Sequence, residues 1–308
     1  MNVATKAARA LAVLCGWAAF ATTAHAQDAA GVEALTGTLK KINASGAVTI
    51  GFRDASIPFS YLGPGRKPIG YSIDLCLAIV EQVKAELGKD AIAVKFLPVN
   101  PQTRIPMVVD GAVDLECGST TNNAERRKQV GFSPIFFVSG TKLLVKRGSK
   151  FRSYRDLKAR TVAVTEGTTN EAAINAVNAK EGLGIKVVVF RDHDQSFAAL
   201  EAGKVDAWAS DDALLYAQAA ESANPRGYAV LDEYLSYDPY GIMFRRNDPA
   251  FDALVQRTFE QLAESRELSR LYDQWFLHKL PSGRTLGIAM SPQLESIFES
   301  LGQPTATE

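Results

Sequence analysis

Short runs rich in β-branched residues alternate along this chain with longer stretches whose apolar side chains recur every three or four positions. The first pattern marks buried strands and the second marks helices with one inward face. Between residues 47 and 118 the order is strand 47–52, helix 73–87, strand 93–97, helix 102–110 and strand 113–118. It recurs as strand 161–164, helix 169–178, strand 186–190, helix 195–202 and strand 205–210. Short strands alternating with covering helices predict an α/β fold, with parallel-type sheets flanked by helices on both faces.

The two segments match in detail. "RIPMVVDGAVDLECGS" and "QSFAALEAGKVDAWASD" both read as a helix, a glycine, one residue, Val-Asp and a strand. Gly111 stands eight residues before Ser119, and Gly203 stands eight before Asp211. Glycine after a helix is a common left-handed cap, so order and spacing carry the argument for two similar lobes.

Residues 136–148 form an extended stretch suited to passing from one lobe to the other, and a second such stretch begins at Tyr240. Helices expected at 249–264 and 266–276 pack back on the first lobe, so the chain crosses twice and the paired crossovers form a hinge. The expected boundaries are a leader at 1–26, the first part of lobe 1 at 39–138, lobe 2 at 139–239, a return to lobe 1 at 240–285 and a C-terminal tail at 286–308. "GPGRKPIG" lacks the Gly-Lys-Ser/Thr ending of a phosphate loop and reads as a turn.

The leader changes the setting. Lys6 and Arg9 precede the apolar run 11–21, and Ala24-His25-Ala26 is a small-x-small cleavage site. This is the three-part pattern of a secretory signal peptide cut before Gln27, and the run is too short to span a membrane. It predicts export to a periplasm. Lys and Arg number 34, as do Asp and Glu; losing Lys6 and Arg9 leaves 32 basic against 34 acidic residues. A near-neutral chain with no aromatic residues set among basic ones gives no case for nucleic acid. Of the cysteines, Cys76 and Cys117 remain after cleavage. An oxidising compartment permits a bond between them. Cys76 also falls on the inward stripe Cys76, Val80, Val83 and Leu87, where a small buried thiol is equally at home.

Ligands of open α/β sheets collect beyond the carboxyl ends of the strands. In lobe 1 those ends carry Arg53, then Arg104, then Ser119, Thr121 and Arg126; in lobe 2 they carry Thr168 and Thr169, then His193, then Asp211. Each alone has an ordinary explanation. Arginines are commonly solvated, "ERRK" looks like an exposed helical face, and a threonine before a helix is commonly its cap. Their shared placement at strand ends points to a cleft. The chain has three histidines, one of them in the leader, and no metal-ligand spacing or nucleophile elbow. These absences argue against a metal site and a serine hydrolase.

"GFRDASIPFSY", "RIPMVVDG", "DLECGSTTNNAER", "TEGTTNE", "RDHDQSF" and "SDDALL" occur in this order. With these motifs the chain resembles the extracytoplasmic solute-binding proteins, family 3, of polar amino-acid ABC transporters, and within them the glutamate/aspartate branch. The resemblance runs from about residue 39 into the C-terminal region. It implies a two-lobed type II periplasmic binding protein fold that closes on its ligand. It also implies a monomeric binding protein without cofactor, and not an enzyme, that delivers glutamate or aspartate to a membrane permease. Carried over residue by residue, it assigns the ligand's α-carboxylate to Arg126, Thr121 and Thr169. The ammonium group falls to Asp211 and Ser119, and the side-chain carboxylate to Arg53, Arg104 and His193; if the last donates as an imidazolium, ligand binding raises its pKa. The planar fork of arginine suits a carboxylate. Pro101 replaces a serine of the family pattern, which removes a hydroxyl and leaves glutamate versus aspartate open.

Counting charges at these positions, Arg53, Arg104 and Arg126 against Asp211 leave an excess of two positive charges. A dicarboxylic amino acid has a spare negative charge that needs a partner in a closed cleft. An enzymatic alternative exists. Periplasmic cyclohexadienyl dehydratases share the implied fold and use a glutamate near a Gly-Thr-Asn-Glu stretch as general acid. Glu171 in "GTTNE" sits where it could imitate that residue, although an acid in a first helical turn has an ordinary role there. The sensor half of a signalling system would carry a membrane span or an output domain, and no segment here reads as either.

Overall fold

The computed structural model describes residues 35–303; the expected leader with its cleavage site, and residues 304–308 of the expected tail, lie outside them. The described chain opens with α1 (Gly37–Ser45) and β1 (Ala47–Phe52). A small antiparallel sheet follows, made of β2 (Ala55–Ser56), β3 (Ser60–Leu62) and β4 (Pro68–Ile69), with the expected Gly/Pro turn between the last two. Next come α2 (Tyr71–Glu86), β5 (Ala93–Pro98), α3 (Arg104–Val109), β6 (Leu115–Cys117), α4 (Ala124–Arg127) and β7 (Val130–Phe132). After β8 (Phe137–Ser139) the second lobe runs β9 (Thr141–Lys146), β10 (Thr161–Thr165), α5 (Thr169–Glu181), β11 (Lys186–Phe190), α6 (His193–Glu201), β12 (Ala207–Asp211), α7 (Asp212–Glu221) and β13 (Tyr228–Val230). The chain returns through β14 (Asp238–Tyr240) to β15 (Met243–Arg245), α8 (Pro249–Glu264), α9 (Glu267–Phe276) and α10 (Pro292–Leu301).

Each lobe is built on a five-stranded sheet, in the orders β5-β1-β6-β15-β7 and β11-β10-β12-β9-β13. The three strands expected in each lobe are parallel. Each sheet adds one antiparallel strand to this parallel set. β15 runs antiparallel to β6 and β7, and β9 runs antiparallel to β12 and β13. The reversal follows from the crossovers, because β9 and β15 each follow a hinge strand and start from the end of the sheet at which the parallel strands finish.

The internal repeat has a physical basis. Asp114 Oδ2 accepts the Thr49 amide at 2.8 Å, and Asp206 Oδ2 accepts the Thr161 amide at 2.9 Å. In each lobe the Asp of the Val-Asp pair thus closes the start of the neighbouring strand. Gly111 and Gly203 both have positive φ, as the turn out of each preceding helix requires.

The hinge is β8 paired antiparallel with β14, with Asp238 opposite Ser139 and Tyr240 opposite Phe137. It is rooted in an aromatic cluster of lobe 1. Phe137 stacks on Phe276 with ring centroids 4.9 Å apart, and Phe59 meets Tyr240 edge-on at 5.1 Å. The core of lobe 1 also takes in Phe251, Val255, Phe259 and Leu268, so α8 and α9 pack there as expected. Several elements escaped the sequence reading, α7 and the following two among them. α1 precedes the first expected strand, and α10 lies in what was expected to be a tail, burying Leu294 and Phe298 against the same core. Cys76 and Cys117 are disulfide-bonded and both are wholly buried, so Cys76 keeps its inward place on the helix as half of a bond and not as a free thiol.

Candidate functional site

The strand ends of the two lobes face each other. Arg53, Arg104, Ser119 and Thr121 from lobe 1, with Thr169, His193 and Asp211 from lobe 2, line one enclosed space between them. That space holds only about 10 Å³, room for roughly one water, so the walls stand almost in contact. Thr121 Oγ1 lies 3.2 Å from Thr169 Oγ1 across it. Further out, Gln102 Nε2 donates to both the carbonyl and a carboxylate oxygen of Glu166, each at 3.1 Å. A roomier groove of about 630 Å³ beneath α10 contains none of the strand-end residues.

Local structure explains how the lobe 2 groups are held. Thr168 is the N-cap of α5, its hydroxyl accepting the Glu171 amide, which leaves Thr169 at the first helical position facing Thr121. Asp192 caps α6 through the Gln195 amide and presents His193 inward. Asp211 ends β12 and accepts a hydrogen bond from Asn170 Nδ2 at 2.7 Å and one from the Tyr240 hydroxyl on the hinge.

Lobe 1 supplies the cations. Arg104 Nη1 donates to Thr120 Oγ1 at 2.5 Å and to the Ser119 carbonyl at 3.4 Å. Arg126 is buried but does not line the enclosed space. It stands behind Thr121, Nη1 donating to that residue's carbonyl at 2.9 Å, and its own amide is capped by Asn123. Arg53 is 3 % exposed, and its Nε, like that of Arg104, has no hydrogen-bond partner.

The electrostatics are those of crowded, buried charge. Burial and the neighbouring Arg104 lower Arg53 to about 10, and the same two causes lower Arg126 to about 9. Arg104 is lowered as well, by burial, with Glu116 opposing. All three remain cations at neutral pH. Burial, with Asp238 nearby, pushes the Asp211 carboxyl up to about 7, against the opposing hydrogen bonds of Tyr240 and Asn170. His193 is held well below the ordinary imidazole range by burial, then by Arg53 and Arg104. With Nδ1 2.9 Å from Thr165 Oγ1, it is a neutral ring in this arrangement.

The charge count also changes. Glu116, with no exposed surface, reaches Thr120, and Asp238, on the hinge, accepts from Thr121 Oγ1 at 3.0 Å. Three guanidiniums thus face three carboxylates, and the expected excess of two positive charges is absent. Sequence reasoning missed both acids, along with Thr120, Asn170, Leu214 and Tyr240. Thr120 and Asn170 were adjacent to chosen residues. Glu116 was detectable as a charge inside an apolar strand, whereas Asp238 sits on the hinge, which a strand-end rule does not reach.

Two expectations about chemistry can be placed. Glu171 turns back to accept the Gly167 amide at 3.0 Å and does not line the enclosed space, which is a helix-start role rather than that of a general acid. Among the described residues, no group of three or more His, Cys, Asp or Glu side chains is placed to hold a metal ion.

Comparison with known proteins agrees with this geometry. Residues 48–278 match the family model for bacterial extracellular solute-binding proteins, family 3. The L-glutamate/L-aspartate-binding protein of Pseudomonas aeruginosa is 46% identical over 269 residues, covering 86% of this chain and 89% of that protein. The glutamate/aspartate import solute-binding protein of Salmonella typhimurium is 39% identical, covering 90% of this chain and 91% of the relative. Among solved structures, an ancestral arginine-binding protein bound to arginine superposes with a TM-score of 0.68 at 29% identity, over 75% of this chain and 98% of that one. An ancestral amino acid-binding protein, precursor of cyclohexadienyl dehydratase, gives 0.65 at 28% identity, over 78% and 99%. The curated relatives are solute-binding proteins and not enzymes. With its paired lobes, two-stranded hinge and interlobe cleft, the chain belongs to the bacterial extracellular solute-binding proteins of family 3.

Proposed function

We propose that this protein is the periplasmic receptor of an ABC importer, binding glutamate or aspartate between its lobes and handing it to a membrane permease. The observation that carries the reading is the convergence of Arg53 and Arg104 with Asp211 on one interlobe cleft, with Arg126 buried behind Thr121. Buried guanidiniums want anionic partners, and a buried carboxylate held partly protonated by its surroundings gains from an incoming ammonium group. The names of the relatives support the same ligand class. In this reading Arg126, Thr121 and Thr169 take the α-carboxylate, and Asp211 and Ser119 take the ammonium. Arg53, Arg104 and His193 take the side-chain carboxylate, with His193 gaining its proton only beside the ligand.

The small closed space means that a ligand enters when the lobes part and is enclosed when they return. The expected lobe boundaries at 139 and 240, cleavage before Gln27 and a monomeric state belong to the same proposal. Calorimetric titration of refolded, ligand-stripped protein with the common amino acids tests it. Glutamate and aspartate should bind far more tightly than glutamine, asparagine or arginine. A preference for any neutral or basic amino acid would overturn the reading, and aromatisation of added prephenate or arogenate would restore the enzymatic alternative.

A further inference from the structure

Glu116 is an unusual residue for its place. It is the middle residue of β6, hydrogen-bonded into the sheet between Gly51 of β1 and Met243 of β15, and it has no exposed surface. Strands buried on both faces are normally apolar. Its Oε2 accepts from Thr120 Oγ1 at 2.7 Å, and that hydroxyl in turn receives Arg104 Nη1 at 2.5 Å. Glu116 Oε1, Arg53 Nε and Arg104 Nε are all buried without a partner. A Cβ on Gly118 would strike both Glu116 Oε1 and the stem of Arg53, so this carboxylate and that arginine flank one glycine. Unpaired buried polar atoms of this kind need a reason.

We propose that Glu116 is a positioning and selectivity residue for the acidic ligand: it fixes Arg104 through Thr120, and its negative charge offsets one of the three buried guanidiniums. The inference rests on the acidic-ligand reading above. Without Glu116, three arginines would be confined in the empty cleft against Asp211 and Asp238 alone. Its charge bears on Arg53, Arg104 and Arg126 alike, in each case favouring the cation. The same charge repels an incoming second carboxylate. Glu116 thus limits how tightly the cleft holds a dicarboxylate, while keeping the arginines in place before it arrives.

The test uses Glu116→Gln, which is nearly isosteric and retains an acceptor for Thr120. The ratio of glutamate to glutamine affinity should rise by about tenfold or more, because one charge nearby at an effective dielectric of about 20 has at least that effect. The ligand-free protein should melt at a lower temperature, while glutamate should raise its melting point by more than in the parent. Glu116→Asp, which keeps the charge, should leave the affinity ratio within about threefold of the parent. A purely structural role would weaken both ligands together in Glu116→Gln, and an unchanged or reduced ratio overturns the proposal. Should that variant not fold, Thr120→Val carries the test, since it cuts the link to Arg104 and keeps the charge. Glutamate should then weaken by about tenfold with glutamine little changed; no change in glutamate overturns the positioning role. A parent protein that does not prefer glutamate to glutamine would instead overturn the acidic-ligand reading, before any variant is made.

Discussion

Thr121 and Thr169 meet hydroxyl to hydroxyl at 3.2 Å, the first from the end of a lobe 1 strand and the second from the start of a lobe 2 helix. The contact bridges the two lobes. With the Gln102 bonds to Glu166 it forms a thin polar latch across the cleft. Such bonds contribute about 1 kcal/mol each at most. Gln102→Ala removes two of them and should therefore weaken glutamate by about thirtyfold or less, with the change in the dissociation rate and not in the association rate. Stopped-flow binding separates the two, and an equal change in both rates would count against a latch.

Arg104 and Arg126 should divide the ligand between them. Arg104→Met should weaken glutamate by about 3 kcal/mol or more while glutamine loses much less, because only glutamate offers a second carboxylate. Arg126→Met should weaken both. Titration of the two ligands against the two variants measures this, and equal losses throughout would show that the arginines are not divided between the ligand's ends.

Asp211 sets affinity against stability. Its carboxyl is raised to about 7 from 3.8, so the folded state holds a proton that the unfolded state has released. Its contribution to stability is full below about pH 4 and lost as pH rises through 7. Asp211→Asn removes this dependence. The ligand-free variant should be more stable than the parent at pH 8, and the two should converge near pH 4. Binding should fall by at least about a hundredfold, since the ligand ammonium loses its anion. Denaturant melts at both pH values check the sign.

His193 acts in the opposite direction. Its pKa lies well below the unfolded value of 6.5, so the stability it contributes is full above pH 6.5 and lost as pH falls below it. Nitrogen chemical shifts of the ring should show a neutral imidazole at pH 7 in the ligand-free protein, hydrogen-bonded at Nδ1. Glutamate should raise the pKa of the ring. An imidazolium in the ligand-free protein at pH 7 would contradict the buried, arginine-flanked setting.

The Cys76–Cys117 bond closes a segment of 41 residues between α2 and the end of β6. On the loop-entropy estimate, removing it costs about 4 kcal/mol. Cys76→Ser with Cys117→Ser should lower the urea midpoint accordingly, and reductant should do the same to the parent while leaving the double variant unchanged.

The order of the main strands and helices and the two-fold repeat were legible in the sequence, for local reasons. The strands at 47–52 and 186–190 are rich in β-branched residues, which favour extended backbone, and the expected bounds coincide with the observed ones. Hydroxyls at helix starts and arginines after strands follow from capping and from chain direction in parallel sheets. Three things depended on the tertiary structure. The antiparallel strands β9 and β15 owe their direction to the hinge, which pairs segments about a hundred residues apart in sequence. The bond between Cys76 and Cys117 was one of two outcomes until helix and strand came together. The charge of the cleft was misjudged because Glu116 and Asp238 lie outside the strand-end pattern and reach the arginines only once sheet and hinge are assembled. Burial then sets the ionisation of Asp211 and His193, since the cost of a charge depends on what surrounds it and not on its neighbours in sequence.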